Sequence, residues 1–373
     1  MDLTSNEIKR FARHLTLPEV GLQGQLKLKK SSVLVVGAGG LGSPILLYLA
    51  AAGVGHLGIV DGDIVDISNL QRQVIHSVDT VGSLKCESAR NSILSLNPNC
   101  TVDIYPEMLS SANACDILSK YDVVCDATDN FPARFLISDT CSVLEKPIVY
   151  GSVQRFEGQV SVFNLNPSSP TYRDFIPSAP PPGHVPSCAE AGVMGVLPGL
   201  VGILQASEAI KILLNLGKVL DGRLLVVDLL SVSFSEFTIN KSSAPEVSPS
   251  STASSTPPPS PEVDKIDVVE LSELLSDSNS NSILIDVRSL QEREISVISG
   301  SLSIPLIQIS DGSSLEYIRD LVLQGKKLFV HCKAGGRSLE AVRILNLEKI
   351  PATDVEGGID AWTSLVDQSL SIY

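Results

Sequence analysis

Seven consecutive residues, Cys332-Lys-Ala-Gly-Gly-Arg-Ser338, bring together a thiol, two glycines and two cations. They follow the apolar run Leu328-Phe-Val330 and precede a helical pattern beginning near Leu339, so the cysteine is predicted at a strand-to-helix turn. Backbone N–H groups of a small-residue turn and the orphan donors of a helix N-terminus point at a sulfur placed there, and Lys333 and Arg337 add positive charge. Surroundings of this kind favour thiolate over thiol. An inert core cysteine needs neither paired glycines nor paired cations. Cys332 therefore reads as a nucleophile or sulfur carrier, with Arg337 beside it as the second catalytic residue.

A second set of residues points to phosphates. Val33-Leu-Val-Val36 reads as a buried strand, and Gly37, Gly39 and Gly42 behind it fit G-x-G-x-x-G. In that motif the glycines let backbone approach a phosphate and the following helix offers its N-terminal donors. The next strand, residues 57–60, ends at Asp61, placed for ribose hydroxyls. Taken alone, these features mean a nicotinamide-dependent oxidoreductase. Further residues argue otherwise: Ser68-Asn69-Leu70-Gln71-Arg72-Gln73, then Lys85, then Asp126-Ala-Thr-Asp129-Asn130 after the strand Val123-Val-Cys125. An arginine, a lysine and an aspartate converging on one phosphate site suit nucleotidyl transfer, where charge builds on the α-phosphate and the leaving pyrophosphate, and Mg²⁺ needs a carboxylate ligand. Singly, Arg72 and Lys85 also fit solvated surface charges, and Asp129 a helix N-cap.

Cys188 lies in Val185-Pro-Ser-Cys-Ala-Glu-Ala-Gly192, after a proline-rich segment at 177–186 and before an apolar helical pattern at 197–214. A cysteine in a loop ahead of a helix can meet a ligand held at the first site, or pack beneath the helix. Cys86, Cys100, Cys115, Cys125 and Cys141 fall within apparent helix or strand patterns and are expected in the core.

The elements that must position these groups need more than one domain. The chain has 373 residues, of which 43% are hydrophobic and 19% charged, which indicates two or three well-filled cores. A formal charge of −14 argues against direct non-specific nucleic-acid binding. Seven cysteines with no Cys-x-x-Cys pair argue against a disulfide framework and for a reducing, cytoplasmic setting. Met1 to Arg10 has neither the basic start nor the apolar core of a signal peptide. Residues 45–60 form the longest apolar run, but Gly53, Gly55, His56 and Gly58 interrupt it. It reads as a buried helix followed by a buried strand, not a membrane span. Between Ser242 and Pro261 stand six prolines among serines and threonines, a composition predicted to form an extended tether of roughly 30–60 Å. The expected organisation is an α/β nucleotide-binding domain at 1–240, a linker at 241–263 and a smaller α/β domain at 264–373.

The C-terminal segment resembles a rhodanese domain. Asp286-Val-Arg288 is similar to that family's Asp-x-Arg after its second strand, Ile298 to Pro305 to its Ile-x-Gly-Ala-x-x-Ile-Pro turn, and Glu356-Gly-Gly-Ile-Asp-Ala-Trp362 to its closing Gly-Gly-x-x-x-Trp signature. Ser296-Val297 stand where the family usually has Gly-His. In that fold four residues between cysteine and arginine, as here, suit a persulfide, whereas related phosphatases place five. The resemblance implies sulfur transfer through Cys332.

The N-terminal segment, about residues 7–240, resembles the ThiF-type, ubiquitin-activating-like adenylyltransferases, which have a Rossmann-like ATP-binding fold. The residues that carry the likeness are Arg10-Phe-Ala-Arg13, Gly21-Leu-Gln-Gly24-Gln25, Val35 to Ser43, Asp61-Gly-Asp63, Ser68 to Gln73, Lys85 and Ala127-Thr-Asp-Asn130. The resemblance implies that Gly40 contacts nucleotide phosphates and Asp61 the ribose. It further implies that Asn69, Arg72 and Lys85 hold phosphates, with Ser68, Leu70 and Gln71 also at the nucleotide site, that Asp129, with Asn130 beside it, binds Mg²⁺, and that Arg13 is donated into the ATP site of a homodimer partner. Many members hold zinc with two Cys-x-x-Cys pairs, but Thr171-Tyr-Arg-Asp174 and Ser233-Phe-Ser-Glu-Phe237 stand in those places, so no zinc ligands are identified and no structural zinc is expected.

Together the resemblances imply ATP- and Mg²⁺-dependent adenylation of the C-terminal Gly-Gly of a β-grasp, ubiquitin-like sulfur carrier. A Cys332 persulfide, charged by a cysteine desulfurase or another donor, then attacks the acyl carbon, and Cys188 resolves the product to a thiocarboxylate for molybdopterin synthesis or tRNA thiolation. An activating enzyme that forms a thioester on Cys188 for protein conjugation, a nicotinamide oxidoreductase with an attached rhodanese, and a scaffold with an inactive ATP site are the alternatives.

Overall fold

The computed structural model describes residues 2–179, 192–242, 263–277 and 280–371. Two compact units divide them, one holding 2–179 and 192–242, the other 263–277 and 280–371. Cys188 and nearly all of the predicted tether lie outside the described residues.

The first unit begins with helices α1 (Ser5–Arg10), α2 (Ala12–Leu15) and α3 (Gly21–Lys30). Its sheet follows: β1 (Ser32–Val36), β2 (His56–Val60), β3 (Thr101–Tyr105), β4 (Val123–Asp126), β5 (Ile148–Gln154), β6 (Glu157–Phe163), β7 (Arg223–Asp228) and β8 (Ser233–Thr238). Between strands run α4 (Gly42–Ala52), α5 (Lys85–Leu96), α6 (Ala114–Leu118), α7 (Phe131–Leu144), α8 (Tyr172–Phe175) and α9 (Val196–Leu214). The strand order is β3-β2-β1-β4-β5-β6-β7-β8, parallel from β3 to β5 and antiparallel beyond.

The hydrophobic pattern explains this build. In β1, Val33 and Val35 enter one buried cluster while Leu34 and Val36 enter another, so the strand is covered on both faces and its run of Val and Leu is unbroken by polar residues. The apolar stretch at 45–60 divides as its glycines predict: α4 stops at Gly53, whose φ of 87° closes the helix in the left-handed region, and β2 begins at His56. Ile45, Leu46 and Leu49 are completely buried, each worth about 1.5–3 kcal/mol of transfer free energy. The helix α9 is apolar and long enough to cross a membrane by length and composition, and it packs against α4, β5 and β6 with Leu197, Val201 and Ala209 fully buried.

Two cysteine expectations need correction. Cys115 is exposed, because it falls on the outer side of the short helix α6, whose Ala114, Ile117 and Leu118 face the core. Cys100 is buried but sits just before β3, outside regular structure.

The second unit is a five-stranded parallel sheet in the order β11-β10-β12-β13-β9, formed by β9 (Lys265–Ile266), β10 (Ser282–Asp286), β11 (Leu302–Ser303), β12 (Lys327–His331) and β13 (Thr353–Val355). Helices α10 (Val268–Ser276), α11 (Leu290–Ile295), α12 (Leu306–Ser310), α13 (Leu315–Leu323), α14 (Gly336–Leu347) and α15 (Gly358–Leu365) cover it. Register partners share a face: Ile285 and Val330 join one core with Ala341 and Leu345, while Leu284 and Phe329 join another with Leu271 and Trp362.

Close packing of α4 onto the turn after β1 yields a first prediction. A Cβ on Gly42 would lie 1.9 Å from the Gly37 carbonyl oxygen, a backbone atom that cannot step aside. Gly42→Ala is expected to lose about 1–3 kcal/mol through overpacking, lowering the unit's Tm by about 2–4 °C per kcal/mol. An unchanged melt would show that helix and turn are not in this contact.

Candidate active sites

The first site is a cavity of about 330 Å³ at the C-terminal ends of β1, β2 and β4, where the direction of strand succession reverses. In open α/β sheets ligands bind at that reversal. Gly37, Gly39, Gly40, Asp61, Arg72, Lys85, Asp129 and Asn130 all line it, together with Asp63, Gln73, Thr128 and Arg134. The glycine turn is forced: Gly37 has φ of 100°, and a Cβ there would lie 2.8 Å from the Ala127 carbonyl oxygen of the neighbouring strand end. Leu41, the N-cap of α4, supplies no side-chain cap, but the Ser43 amide already donates to the Gly39 carbonyl at 2.9 Å and Pro44 carries no N–H, so donors for an anion come from the glycine turn ahead of the helix.

Asp61 ties the turn to β2. Its Oδ2 accepts the Ala38 N–H at 2.8 Å and its Oδ1 the Asp63 N–H at 2.9 Å. Burial pushes its carboxyl up, and the two backbone bonds and Lys85 oppose that shift. His76, also buried, lies with Nε2 3.0 Å from the Ala38 carbonyl oxygen and Nδ1 2.9 Å from Ser88 Oγ, fixing the turn from the other side. Lys85 is buried at the first position of α5, where the helix dipole disfavours a cation, and Asp63 compensates at 2.7 Å. Gln73 is buried with its Oε1 unpartnered among the described residues. Asn130 caps α7 by accepting the Ala133 N–H at 3.0 Å. That leaves Asp129 exposed on the cavity wall, with a single long contact of 3.5 Å from Asn130 Nδ2.

The structure does not bring every expected residue to this wall. Ser68 and Asn69 belong to a 3₁₀ turn, Ile67–Asn69, in which Asp66 caps the Ser68 amide and Asn69 Oδ1 accepts the Asp66 amide. Leu70 follows that turn, and Gln71 packs against Gly195 ahead of α9. These four precede Arg72, whose guanidinium donates back to the Ser68 carbonyl at 3.2 Å. Arg13 is exposed on α2 and does not line the cavity. Asp63, Gln73, Thr128 and Arg134 line the wall but were left out of the site by sequence reasoning, although the first three fall inside motifs it used.

At the first place where many family members hold zinc, side-chain caps and aromatic packing stand instead. Thr171 and Asp174 cap each other across α8, Asp174 also accepts the Ser242 amide at 2.8 Å, and Tyr172 sits among Phe135, Tyr150, Phe163 and Phe175.

The second site is the turn between β12 and α14. Cys332 is buried, and its Sγ accepts the Gly335 N–H at 3.1 Å with Ser338 Oγ at 3.5 Å. Its carbonyl accepts the Ile359 N–H at 2.9 Å and that of Lys333 the Asp360 N–H at 3.1 Å. A Cβ on Gly358 would lie within 2.5 Å of both carbonyl oxygens, which gives the Gly-Gly-x-x-x-Trp signature its physical basis. The expected cationic help from Arg337 is corrected by the structure: its guanidinium forks onto Glu292 at 2.8 and 2.7 Å, so its charge is largely balanced there. Burial would raise the Glu292 carboxyl, but Arg337 and the Ser289 cap overcome this and bring it down to about 2. Beneath the turn, fully buried Asp286 takes Arg288 at 2.9 and 2.7 Å and Arg293 at 2.7 Å. The neighbouring His331 is pushed down to about 4 by burial and is neutral, with Nε2 3.6 Å from Asp286. Arg288 also donates to the Ser296 carbonyl, so the Ser296-Val297 departure is absorbed in packing.

Set against known proteins, these two sites fall in recognised families. The chain belongs to the ThiF family, whose model matches residues 11–248, and it carries a rhodanese-like domain at residues 267–365. It is 42% identical to the "Probable adenylyltransferase/sulfurtransferase MoeZ" of Mycobacterium tuberculosis over all of this chain and 96% of that protein. It is 39% identical to the "Adenylyltransferase and sulfurtransferase MOCS3" of Drosophila virilis over all of this chain and 86% of that protein. Among solved structures, Escherichia coli MccB with ATP shares the fold, with a TM-score of 0.54 and 21% identity over 65% of this chain and 75% of that one.

The second site predicts acid lability with a worked sign. His331 is held below its ordinary 6.5 and Glu292 below its ordinary 4.5, so in both cases the unfolded chain binds more protons and stability is lost as pH falls. Loss is expected from about 6.5 down to about 4 for His331, then from about 4.5 down to about 2 for Glu292. In pH-dependent melts of the full chain, Glu292→Gln should flatten the lower of these windows for the C-terminal unit. A lower window as steep as in the wild type would refute the Arg337–Glu292 assignment.

Proposed function

We propose that this adenylyltransferase and sulfurtransferase converts the C-terminal glycine carboxylate of a ubiquitin-like carrier protein into a thiocarboxylate. The observation that supports the reading best is the convergence of Gly40, Asp61, Arg72, Lys85, Asp129 and Asn130 on one cavity at the strand reversal.

The backbone of the glycine turn receives the phosphates of ATP, and Asp61 the ribose. Arg72 and Lys85 balance the charge that grows on the α-phosphate and on leaving pyrophosphate as the carrier's carboxylate oxygen attacks phosphorus. The Asp129 carboxylate, open to the cavity, fits a hard cation: it would hold Mg²⁺, which when bound neutralises phosphate charge. The product is an acyl-adenylate. At the second site Cys332 takes the outer sulfur from a donor persulfide, such as that of a cysteine desulfurase, and the donor thiol leaves. The outer sulfur then attacks the acyl carbon, the C–O bond to phosphate breaks, and AMP departs. Cys188, outside the described residues, is assigned the closing step: its thiolate attacks Cys332, forming a Cys188–Cys332 disulfide and releasing the thiocarboxylate. The tether at 241–263 carries Cys332 to the adenylate, a homodimer supplies Arg13, and no structural zinc takes part. The thiocarboxylate would serve molybdopterin synthesis, tRNA thiolation or both.

Two substitutions test the division of labour. Asp129→Ala should cut carrier-dependent exchange of labelled pyrophosphate into ATP by ~100-fold or more, the scale for removing a preorganised electrostatic element, and spare thiosulfate:cyanide sulfurtransferase activity. Cys332→Ala should do the reverse. Undiminished exchange in Asp129→Ala, or surviving sulfurtransferase activity in Cys332→Ala, would overturn the corresponding assignment.

A further inference from the structure

Behind the glycine turn lies an imidazole that the steps above leave unused. His76 is 7% exposed and does not line the cavity. Burial, with the Lys85 charge adding to it, pushes the ring down from its ordinary value, so it is neutral and carries one N–H. The neighbours decide which nitrogen holds that proton. A backbone carbonyl can only accept, and the Ala38 carbonyl oxygen is 3.0 Å from Nε2, so the proton is on Nε2. Nδ1, 2.9 Å from Ser88 Oγ, then accepts the serine hydroxyl. Ser88 is buried on α5, three residues after Lys85.

Ala38, completely buried, is thereby gripped on both sides. Its N–H goes to Asp61 Oδ2 at 2.8 Å and its carbonyl oxygen to His76, which fixes both peptide planes that meet there. A trans peptide sets its N–H opposite to its C=O. With the Ala38 carbonyl turned inward onto a buried ring, the Gly39 amide of the same unit is turned outward, and Gly39 lines the cavity. Among the described residues that amide has no backbone acceptor. A Cβ on Gly39 would meet only Gln73 Nε2 within 4 Å, at 3.6 Å, so nothing crowds the turn there. An outward amide in a cavity that Arg72 and Lys85 also line is a donor suited to an anion.

We propose that His76 is a positioning residue for ATP: through Nε2–H it holds the Ala38–Gly39 peptide with the Gly39 amide directed at a phosphate oxygen, and through Nδ1 it ties that turn to the helix that carries Lys85. One ring thus sets two phosphate-reading elements against each other. An aliphatic side chain of similar bulk would fill the space but leave the Ala38 carbonyl without its donor, and the peptide could then turn. The side-chain amide of glutamine reaches the place of Nε2, whereas that of asparagine reaches only the place of Nδ1.

The proposal rests on ATP being bound at this cavity, and the test keeps the two apart. Calorimetric affinities of the full chain for ATP with Mg²⁺ are measured for wild type, His76→Gln, His76→Asn and His76→Leu, with ligand-free thermal melts of each. Affinity for adenosine, which carries no phosphate, is followed by ligand-observed NMR titration. His76→Asn and His76→Leu are expected to bind ATP at least ~10-fold more weakly, the scale of one hydrogen bond to a charged group. His76→Gln should stay within a few-fold of wild type, and all four proteins should bind adenosine alike. A wild type that binds no ATP would refute the nucleotide-site reading itself. With ATP bound by wild type, equal affinity in His76→Asn and His76→Leu, or a loss in His76→Gln as large as theirs, would overturn the positioning role, as would adenosine binding that falls in parallel with ATP binding. Should His76→Leu fail to fold, the comparison of His76→Gln with His76→Asn decides alone.

Discussion

The bonds that Asp61 accepts from the Ala38 and Asp63 amides are the contacts on which the nucleotide site depends. They lock the glycine turn against the end of β2 and so set where the backbone of that turn points. The geometry leaves little latitude: Gly37 is pressed on the Ala127 carbonyl and Gly42 on the Gly37 carbonyl, so turn, helix and two strand ends form one rigid contact. A carboxylate bonded to two backbone amides at a strand reversal is a preorganised arrangement that needs no rearrangement when phosphate charge develops. Asp61 is therefore a scaffold of the turn.

The sulfur site solves the same problem with different materials. Its turn is again a strand-to-helix junction, but the carbonyls of Cys332 and Lys333 are held by amides at the start of α15, which is why Gly358 stands in van der Waals conflict with any side chain. Beneath it, Asp286 with Arg288 and Arg293 forms a buried ion network, and such groups must be paired on all sides because a lone buried charge is strongly destabilising. Arg337 forks onto Glu292, while the Gly335 amide and the Ser338 hydroxyl donate toward Sγ.

Local signals carried much of this in the sequence. The glycine spacing after β1, the division of the apolar stretch at Gly53, and the strand-to-helix position of Cys332 all follow from short-range rules of backbone conformation and hydrophobic pattern. The cavity wall was legible where a motif's charged residue reaches it, as with Arg72 and Lys85. What stayed hidden depends on tertiary approach. Glu292 reads as the N3 residue of a capping box at Ser289, and nothing nearby in sequence announces that Arg337, 45 positions away, meets it. The exposure of Cys115 depends on which side of a five-residue helix meets the core, too short a span for periodicity to decide. Ser68 to Gln71 were grouped with Arg72 by adjacency, whereas a 3₁₀ turn sends neighbouring side chains in different directions.

The central claim is that two sites on one chain act in series on one carrier. Intact-mass analysis of a ubiquitin-like carrier ending in Gly-Gly, after incubation with the full chain, ATP, Mg²⁺ and thiosulfate under mild reduction, tests it directly. The account predicts a carrier in which one sulfur has replaced one oxygen. A carrier recovered only as adenylate, or only as a thioester on Cys188, would contradict it.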